Sequence, residues 1–272
     1  MPSFAGKVAV ITGAGSGIGR ALAGQLAAQG CHLALADIDA DSLEATAAPL
    51  RREGLRLSTH VLDVADRDAV HVFADRVMTH HGGAHLVINN AGVTVSQTIA
   101  ELRYDDFEWL MGINFWGVVH GTKAFLPHLL AQGEGHIVNL SSIFGIVSVP
   151  TQGAYNASKF AVRGFTEALR QELHRTPIKV TCVHPGGIRT NIARSARFYQ
   201  GADGRTDASR AAARFDRLAR TSAEQAAGII IKGVQSGRPR IMVGADARFL
   251  DHLQRLLPAA YPRLLGKLMK KG

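Results

Sequence analysis

The sequence predicts an α/β fold: a doubly wound, seven-stranded, mostly parallel sheet with helices on both faces, in a single domain over residues 1–245. Three observations predict it. Short β-branched runs alternate along the chain with stretches whose apolar residues recur at helical spacing, the pattern of strand–helix–strand units. The strand runs are continuously apolar, as strands buried on both faces are. The first of them passes into a glycine-rich turn and then a helix.

The elements follow in order. Residues 7–12 (KVAVIT) read as the first strand. TGAGSGIGR follows, then a helix that stops at Gly30. Residues 31–37 (CHLALAD) form the second strand, 41–54 a helix, and LRLSTHVLD a third strand ending at Asp63. A helix over 66–82 leads to the fourth strand, HLVINNAG, closing at 89–92. A helix over about 105–131 carries Asn114; GHIVNLSS is the fifth strand, ending at Ser141 and Ser142. A helix with Tyr155 and Lys159 runs to about His174, followed by IKVTCVHPGG and, at 240–244, RIMVG as sixth and seventh strands. Residues 190–221 read as a lid with Phe198, Tyr199, Phe215 and Leu218 among arginines, and 246–272 as an amphipathic basic tail.

At 272 residues and 46% hydrophobic, the chain can bury one sizeable core. No apolar run reaches the roughly 18 residues of a membrane span, and the first thirteen residues lack the basic leader and cleavage site of a signal peptide. Cys31 and Cys182 sit in apolar strand contexts and are expected to be buried free thiols, which suits a cytoplasmic protein. The twelve histidines show no HExxH pattern and the cysteines no CxxC, so no metal is expected. The net charge of +9 is uneven. Residues 1–185 hold 14 Lys and Arg against 16 Asp and Glu, and residues 186–272 hold 17 against 6. No nucleic-acid motif accompanies the basic third, so no nucleic-acid partner is expected.

Two constellations carry chemistry. In the first, Gly13, Gly17 and Gly19 fit G-x-x-x-G-x-G between a strand and a helix. Such a turn lets a pyrophosphate approach the backbone, and the helix start offers free N–H groups and a positive dipole end. Asp37, closing the second strand, is placed to accept from both ribose hydroxyls of an adenosine and to repel a 2′-phosphate. Neither Ser16 nor Ile38 supplies a cation for that phosphate, so NAD is expected over NADP. The other reading of Asp37 is a turn or cap residue. Asp63 and Val64 are candidates to lie beside the adenine. The second constellation is Tyr155 and Lys159, four apart and so on one face of a helix. A free tyrosine has a pKa of about 10; a neighbouring ammonium favours the phenolate and would lower it, making a phenol able to exchange a proton with an alcohol or carbonyl oxygen.

Together TGAGSGIG (12–19), Asp63, NNAG (89–92), Asn114, Ser142, YNASK (155–159) and PGGIRT (185–190) resemble the short-chain dehydrogenase/reductase family, whose members share a Rossmann fold. Ser142 precedes Tyr155 by thirteen residues, the family's usual separation. The resemblance covers about residues 5–245, with its departures after 190. It implies that Tyr155 donates or accepts the proton, Lys159 depresses the tyrosine pKa and binds the nicotinamide ribose, and Ser142 holds the reacting oxygen. It further implies that Asn114 holds a water linking Lys159 to solvent, and that Gly13, Ser16, Ile18 and the following helix hold the pyrophosphate. Asn90, Ala91 and Gly92 would line the cofactor cleft with Pro185 and Gly186, and Ile188 and Thr190 would fix the carboxamide. Structural readings stand beside these: Asn90 and Asn114 as stitches between elements, Thr190 as a helix cap, Ser141 as a strand-end residue.

The implied reaction is reversible hydride transfer between a secondary alcohol, bulky and hydrophobic from the apolar residues of lid and tail, and nicotinamide C4. The alternatives are a β-ketoacyl thioester reductase and a non-catalytic dinucleotide sensor or scaffold. The family implies a homodimer or homotetramer. The tail is expected to pack on a neighbouring subunit or the substrate mouth, to lie on an anionic membrane surface, which would make the protein peripheral to a membrane, or to be disordered past Pro262.

Overall fold

The computed structural model describes the backbone of residues 3–270 and the side chains of residues 3–266. Lys267, Leu268, Lys270 and Lys271, which contribute to the amphipathic basic character expected of the tail, have side chains outside the described residues.

The first half of the chain runs β1 (Val8–Thr12), α1 (Gly17–Ala28), β2 (His32–Asp37), α2 (Ala40–Ala47), β3 (Leu57–Val61), α3 (Arg67–His81), β4 (Leu86–Asn89), the two-residue β5 (Val95–Ser96), α4 (Tyr104–Met111) and α5 (Gly117–Gln132). The second half runs β6 (Gly135–Leu140), α6 (Gly153–Glu172), β7 (Ile178–Pro185), β8 (Ile188–Arg189), β9 (Arg197–Phe198), α7 (Ala208–Leu218), β10 (Thr221–Ser222), α8 (Ala223–Gln235), β11 (Arg240–Val243), α9 (Ala245–Leu256) and α10 (Tyr261–Lys270).

Seven strands form one sheet in the order β11-β7-β6-β4-β1-β2-β3, every pair parallel. The chain builds outward from β1 to β3, then crosses back to β4 on the other side of β1. The crevice beyond Thr12 and Asn89 is thus the switch point where ligands of such sheets bind. Two apolar layers cover the sheet. Leu22, Leu26, Leu33, Leu35, Ile88 and Ile230 lie in one, and Phe73, Val77, Val87, Phe125, Leu129 and Ile137 in the other. The central strands β1, β4 and β6 are buried on both faces, which is why they read as largely apolar runs, whereas the edge strand β3 is only partly buried.

Three features depart from the expected elements. The helix expected over 41–54 ends at Ala47, and a 3₁₀ turn with Pro49 finishes it. The helix expected over 105–131 is broken into α4 and α5 by a π turn, Gly112–Trp116. The lid is tied down by two short parallel ladders, β5 with β9 and β8 with β10. Cys31 and Cys182 are buried free thiols, each pushed up to about 12 by burial. Among the described residues no helix is long and apolar enough to cross a membrane.

Candidate active site

The glycine loop fills the switch point because nothing larger than glycine fits. Gly13 has φ +65°, and a Cβ there would stand 2.8 Å from the Ala91 Cα. A Cβ on Gly19 would stand 2.1 Å from the Gly13 carbonyl oxygen. Thr12 and Asn90 fix the loop to the end of β4. The Thr12 hydroxyl accepts the N–H groups of Asn90 (3.0 Å) and Ala91 (3.2 Å), and the Asn90 amide donates to the carbonyls of Thr12 (2.9 Å) and Gly13 (3.0 Å). Asn90 is thus a stitch, its NH₂ committed to the loop.

The loop feeds the start of α1. Asp39, Asp66, Asp207 and Ser222 cap α2, α3, α7 and α8 with their side chains. Ser16, at the corresponding place in extended backbone, makes no such bond, and no acidic residue stands in the first turn of α1. The amides a phosphate would bind are left uncapped by the side chain that usually takes them. Close backbone, an uncapped helix start and an acid at the end of β2 together fit a dinucleotide.

Asp37 closes β2 beneath this turn. Its Oδ2 accepts the Gly15 N–H at 2.7 Å and its Oδ1 the Asp39 N–H at 3.1 Å. A carboxylate oxygen has two lone-pair directions, so each retains one for a ribose hydroxyl. Arg20, the cation nearest this turn, donates to the carbonyls of Gly15 and Ser42 and to the Thr46 hydroxyl. Asp63 accepts the Ala65 N–H in a local turn, and Val64 is buried against Gly117.

The other half of the site lies across the crevice. Ser141 and Ser142 end β6 and diverge in role. Ser141 donates to the Lys159 carbonyl at 2.8 Å and moors α6 to the sheet, the strand-end reading. The Ser142 hydroxyl lies beside the Tyr155 phenol and favours its phenolate. The Ser142 Oγ also accepts the Phe144 N–H at 3.1 Å. His184 on β7, fully buried, holds the Ser142 peptide from behind, its Nδ1 3.1 Å from the Ser142 carbonyl. Since a carbonyl only accepts, Nδ1 carries the proton. Thr151, at φ +66°, turns the chain into α6 and accepts the Gln97 N–H with its carbonyl.

Tyr155 and Lys159 share the inner face of α6. Lys159 is 3% exposed, donates to the Leu140 carbonyl at 3.0 Å and lies 5.6 Å from the centre of the Tyr155 ring. The expected lowering of the tyrosine pKa is overturned here. Burial pushes Tyr155 up to about 12 against the lowering by Ser142, and burial brings Lys159 down to about 8. The ammonium donates to a carbonyl and borders the ring, while desolvation opposes both charges.

Asn114 sits in the π turn with no exposure. Its side chain pairs with Val93 as a strand would, accepting that N–H at 2.8 Å and donating to the carbonyl at 2.9 Å, and it also reaches the Ser158 hydroxyl at 3.1 Å. The side chain is therefore a stitch. A Cβ on Gly92 would lie 3.3 Å from Asn114 Oδ1 and 3.4 Å from Lys159 Nζ, so these three residues meet. Thr190 caps the 3₁₀ turn Asn191–Ala193 and abuts Gly17, and Ile188 is buried beneath the loop. Pro185 and Gly186 end β7. There Asp246 of α9 accepts the Gly187 N–H at 2.6 Å and leaves no space for a side chain at Gly186.

Four side chains were not legible in the sequence: Asp246, His184 and the pair that fastens the lid, Asp106 and Arg197. Asp106 of α4 is 3% exposed and bonds Arg197 of β9 at 2.8 Å, while the Arg197 guanidinium lies 3.6 Å from the Trp109 ring centre. Burial raises the Asp106 pKa, but Arg197 and Tyr199 beside it, with the charge of Arg103, outweigh it, and the net direction is down. Val95, Leu110, Phe107, Trp109 and Tyr155 form an apolar cluster, and Phe144 meets the Tyr155 ring edge-on at 6.2 Å.

A family description, short chain dehydrogenase, matches residues 7–200. The chain belongs to the short chain dehydrogenase family. SadH of Mycobacterium tuberculosis, named as an oxidoreductase, is 52% identical over 269 residues, 98% of this chain and 96% of that protein. A family member from Burkholderia phymatum, solved in complex with NAD, superposes with a TM-score of 0.88 at 34% identity, over 94% of this chain and 95% of its own. LigD of Sphingobium sp. strain SYK-6, solved in its apo form, has a TM-score of 0.77 at 31% identity over 94% and 98%. Within the family the chain is an oxidoreductase, and Ser142, Tyr155 and Lys159 stand together where its YNASK and strand-end serine motifs predict.

Proposed function

We propose that the protein is an NAD-dependent dehydrogenase or ketone reductase acting on a secondary alcohol and its ketone, with a bulky apolar substituent on the carbinol carbon. The observation that carries this is the meeting of Ser142, half-buried Tyr155 and Lys159 at one site facing the glycine loop. The Burkholderia relative solved with NAD supports the dinucleotide.

Gly13, Ser16, Ile18 and the start of α1 would hold the pyrophosphate, Asp37 the adenosine ribose, and Lys159 the nicotinamide ribose. The bound dinucleotide supplies the hydride acceptor or donor and, oxidised, a positive ring that favours the Tyr155 phenolate. Tyr155 takes the alcohol proton in oxidation and returns it in reduction. Ser142 donates to the reacting oxygen and strengthens that bond as charge develops. Lys159, lowered to about 8 by burial, changes its protonation readily near neutral pH and serves as the inner end of the proton path. The apolar surroundings of Tyr155 accommodate an apolar substituent.

The test is a screen of NAD⁺ and NADP⁺ reduction over secondary alcohols of increasing size. Turnover that rises with apolar bulk and favours NAD⁺ supports the proposal. A clear NADP⁺ preference rejects the role of Asp37, and no turnover on any alcohol or ketone rejects the activity.

A further inference from the structure

After β11 the chain turns apolar and basic together. α9 and α10 form a helical hairpin with two different faces. Its inner face packs on the loop behind Ser142: Ala247, Leu250, Tyr261 and Leu265 lie with Ile143, Ile146 and Val147 in one cluster, and the Tyr261 hydroxyl accepts the Ser148 N–H at 3.1 Å. Its outer face is uncovered. Phe249 is 57% exposed, Leu256 79%, Leu257 42% and Leu264 38%. The turn joining the helices, Pro258, Ala259 and Ala260, is exposed too, so the tip carries no charge from Leu256 to Pro262.

Arg248 near the start of α9, Arg255 at its end and Arg263 in α10 are exposed on the same hairpin. The only acids of the described hairpin are occupied. Asp246 accepts the Gly187 N–H, and Asp251 is buried and holds Arg240 at 2.6 Å and Arg255 at 3.3 Å. An uncovered apolar face on a folded protein marks a partner, and the charge on the same hairpin identifies which. A second copy docked by a two-fold axis would set these arginines against their own counterparts, with three arginines and only two carboxylates, both already bonded within the chain, on each described hairpin. An anionic lipid surface offers both an apolar interior and phosphates for the arginines.

We propose that the α9–α10 hairpin docks the protein on an anionic bilayer, with Phe249, Leu256, Leu257 and Leu264 in the acyl boundary and the arginines at the headgroups. The loop after Ser142 then lies about one helix diameter, ~10 Å, from the lipid. The inference is independent of the reaction assigned to Tyr155.

The experiment is co-sedimentation of the full chain with phosphatidylglycerol–phosphatidylcholine vesicles and with phosphatidylcholine vesicles. Sedimentation with the anionic vesicles that weakens with salt is expected. F249S/L256S/L257S/L264S is expected to lower vesicle partition about tenfold or more, with an unchanged melting curve because every changed side chain is exposed. R248Q/R263Q, which leaves the apolar tip intact, is expected to weaken binding to anionic vesicles alone. Wild-type protein left in the supernatant with both vesicles overturns the proposal, as does a quadruple variant that binds like wild type. An oligomer that the quadruple variant dissociates, without vesicle binding by either protein, overturns it in favour of a second copy.

Discussion

Replacing Arg197 by alanine should unlatch the lid while leaving the domain folded. Asp106 would be left buried at 3% exposure without its cation, and Trp109 would lose the guanidinium stacked 3.6 Å from its ring centre. Removing one partner of a fully buried pair costs about 3–5 kcal/mol. Here the arginine side chain is 42% exposed, so water and salt already screen part of the pair, and about 1–2 kcal/mol is the appropriate scale. The stacking adds about 0.5–1 kcal/mol. Other ties remain. The Tyr199 N–H reaches the Ser96 carbonyl at 3.0 Å, and the Ser96 hydroxyl donates to the Gln200 carbonyl at 2.7 Å. Together these are about 1.5–3 kcal/mol, so the population with an open lid should rise roughly ten- to a hundredfold, and chymotrypsin cleavage after Phe198 and Tyr199 should accelerate by the same factor under native conditions. A D106N/R197A double variant should cleave no faster than R197A, because the two side chains act as one unit. Unchanged cleavage in R197A, or additive effects in the double variant, would refute a latch through this pair.

Two further expectations follow from packing and burial. Gly19→Val places a side chain 2.1 Å from a backbone carbonyl that cannot yield, so dinucleotide affinity, read by NADH fluorescence, should fall by about a hundredfold or more; near wild-type affinity would remove the glycine loop from the cofactor site. His136 and His184 are buried, and burial lowers them from 6.5 to about 3 and about 4. A base depressed by folding binds fewer protons folded than unfolded between its two pKa values, so stability rises with pH across that window. The contribution of both histidines is complete above about pH 6.5 and is lost as pH falls towards 4, on the order of several kcal/mol together; urea midpoints from pH 7 to 4.5 should decline accordingly, and a flat profile would contradict it.

What the sequence made legible was local. Strands buried on both faces show as apolar runs, and the glycine loop, the end of β6 and the start of α6 each carry chemistry within a few residues. What stayed hidden depends on partners distant in sequence. Asp106 and Arg197 are 91 residues apart, and Asp246 acts on a glycine 59 residues earlier. Asn114 and Asn90 were legible as important, but only the fold shows that their amides hold Val93 and the glycine loop. The π turn has no periodic signature distinct from a helix. The Tyr155–Lys159 spacing located the pair correctly and misjudged its electrostatics, because spacing carries no information about desolvation.

The central claim is that Tyr155 moves the proton between alcohol and protein. Its most direct measurement is single-turnover hydride transfer, followed at 340 nm, in Tyr155→Phe beside a titration of NADH binding. The account predicts dinucleotide affinity within about twofold of wild type and a rate lower by about 10²–10⁴. A variant that binds the dinucleotide normally and transfers hydride at the wild-type rate would contradict it.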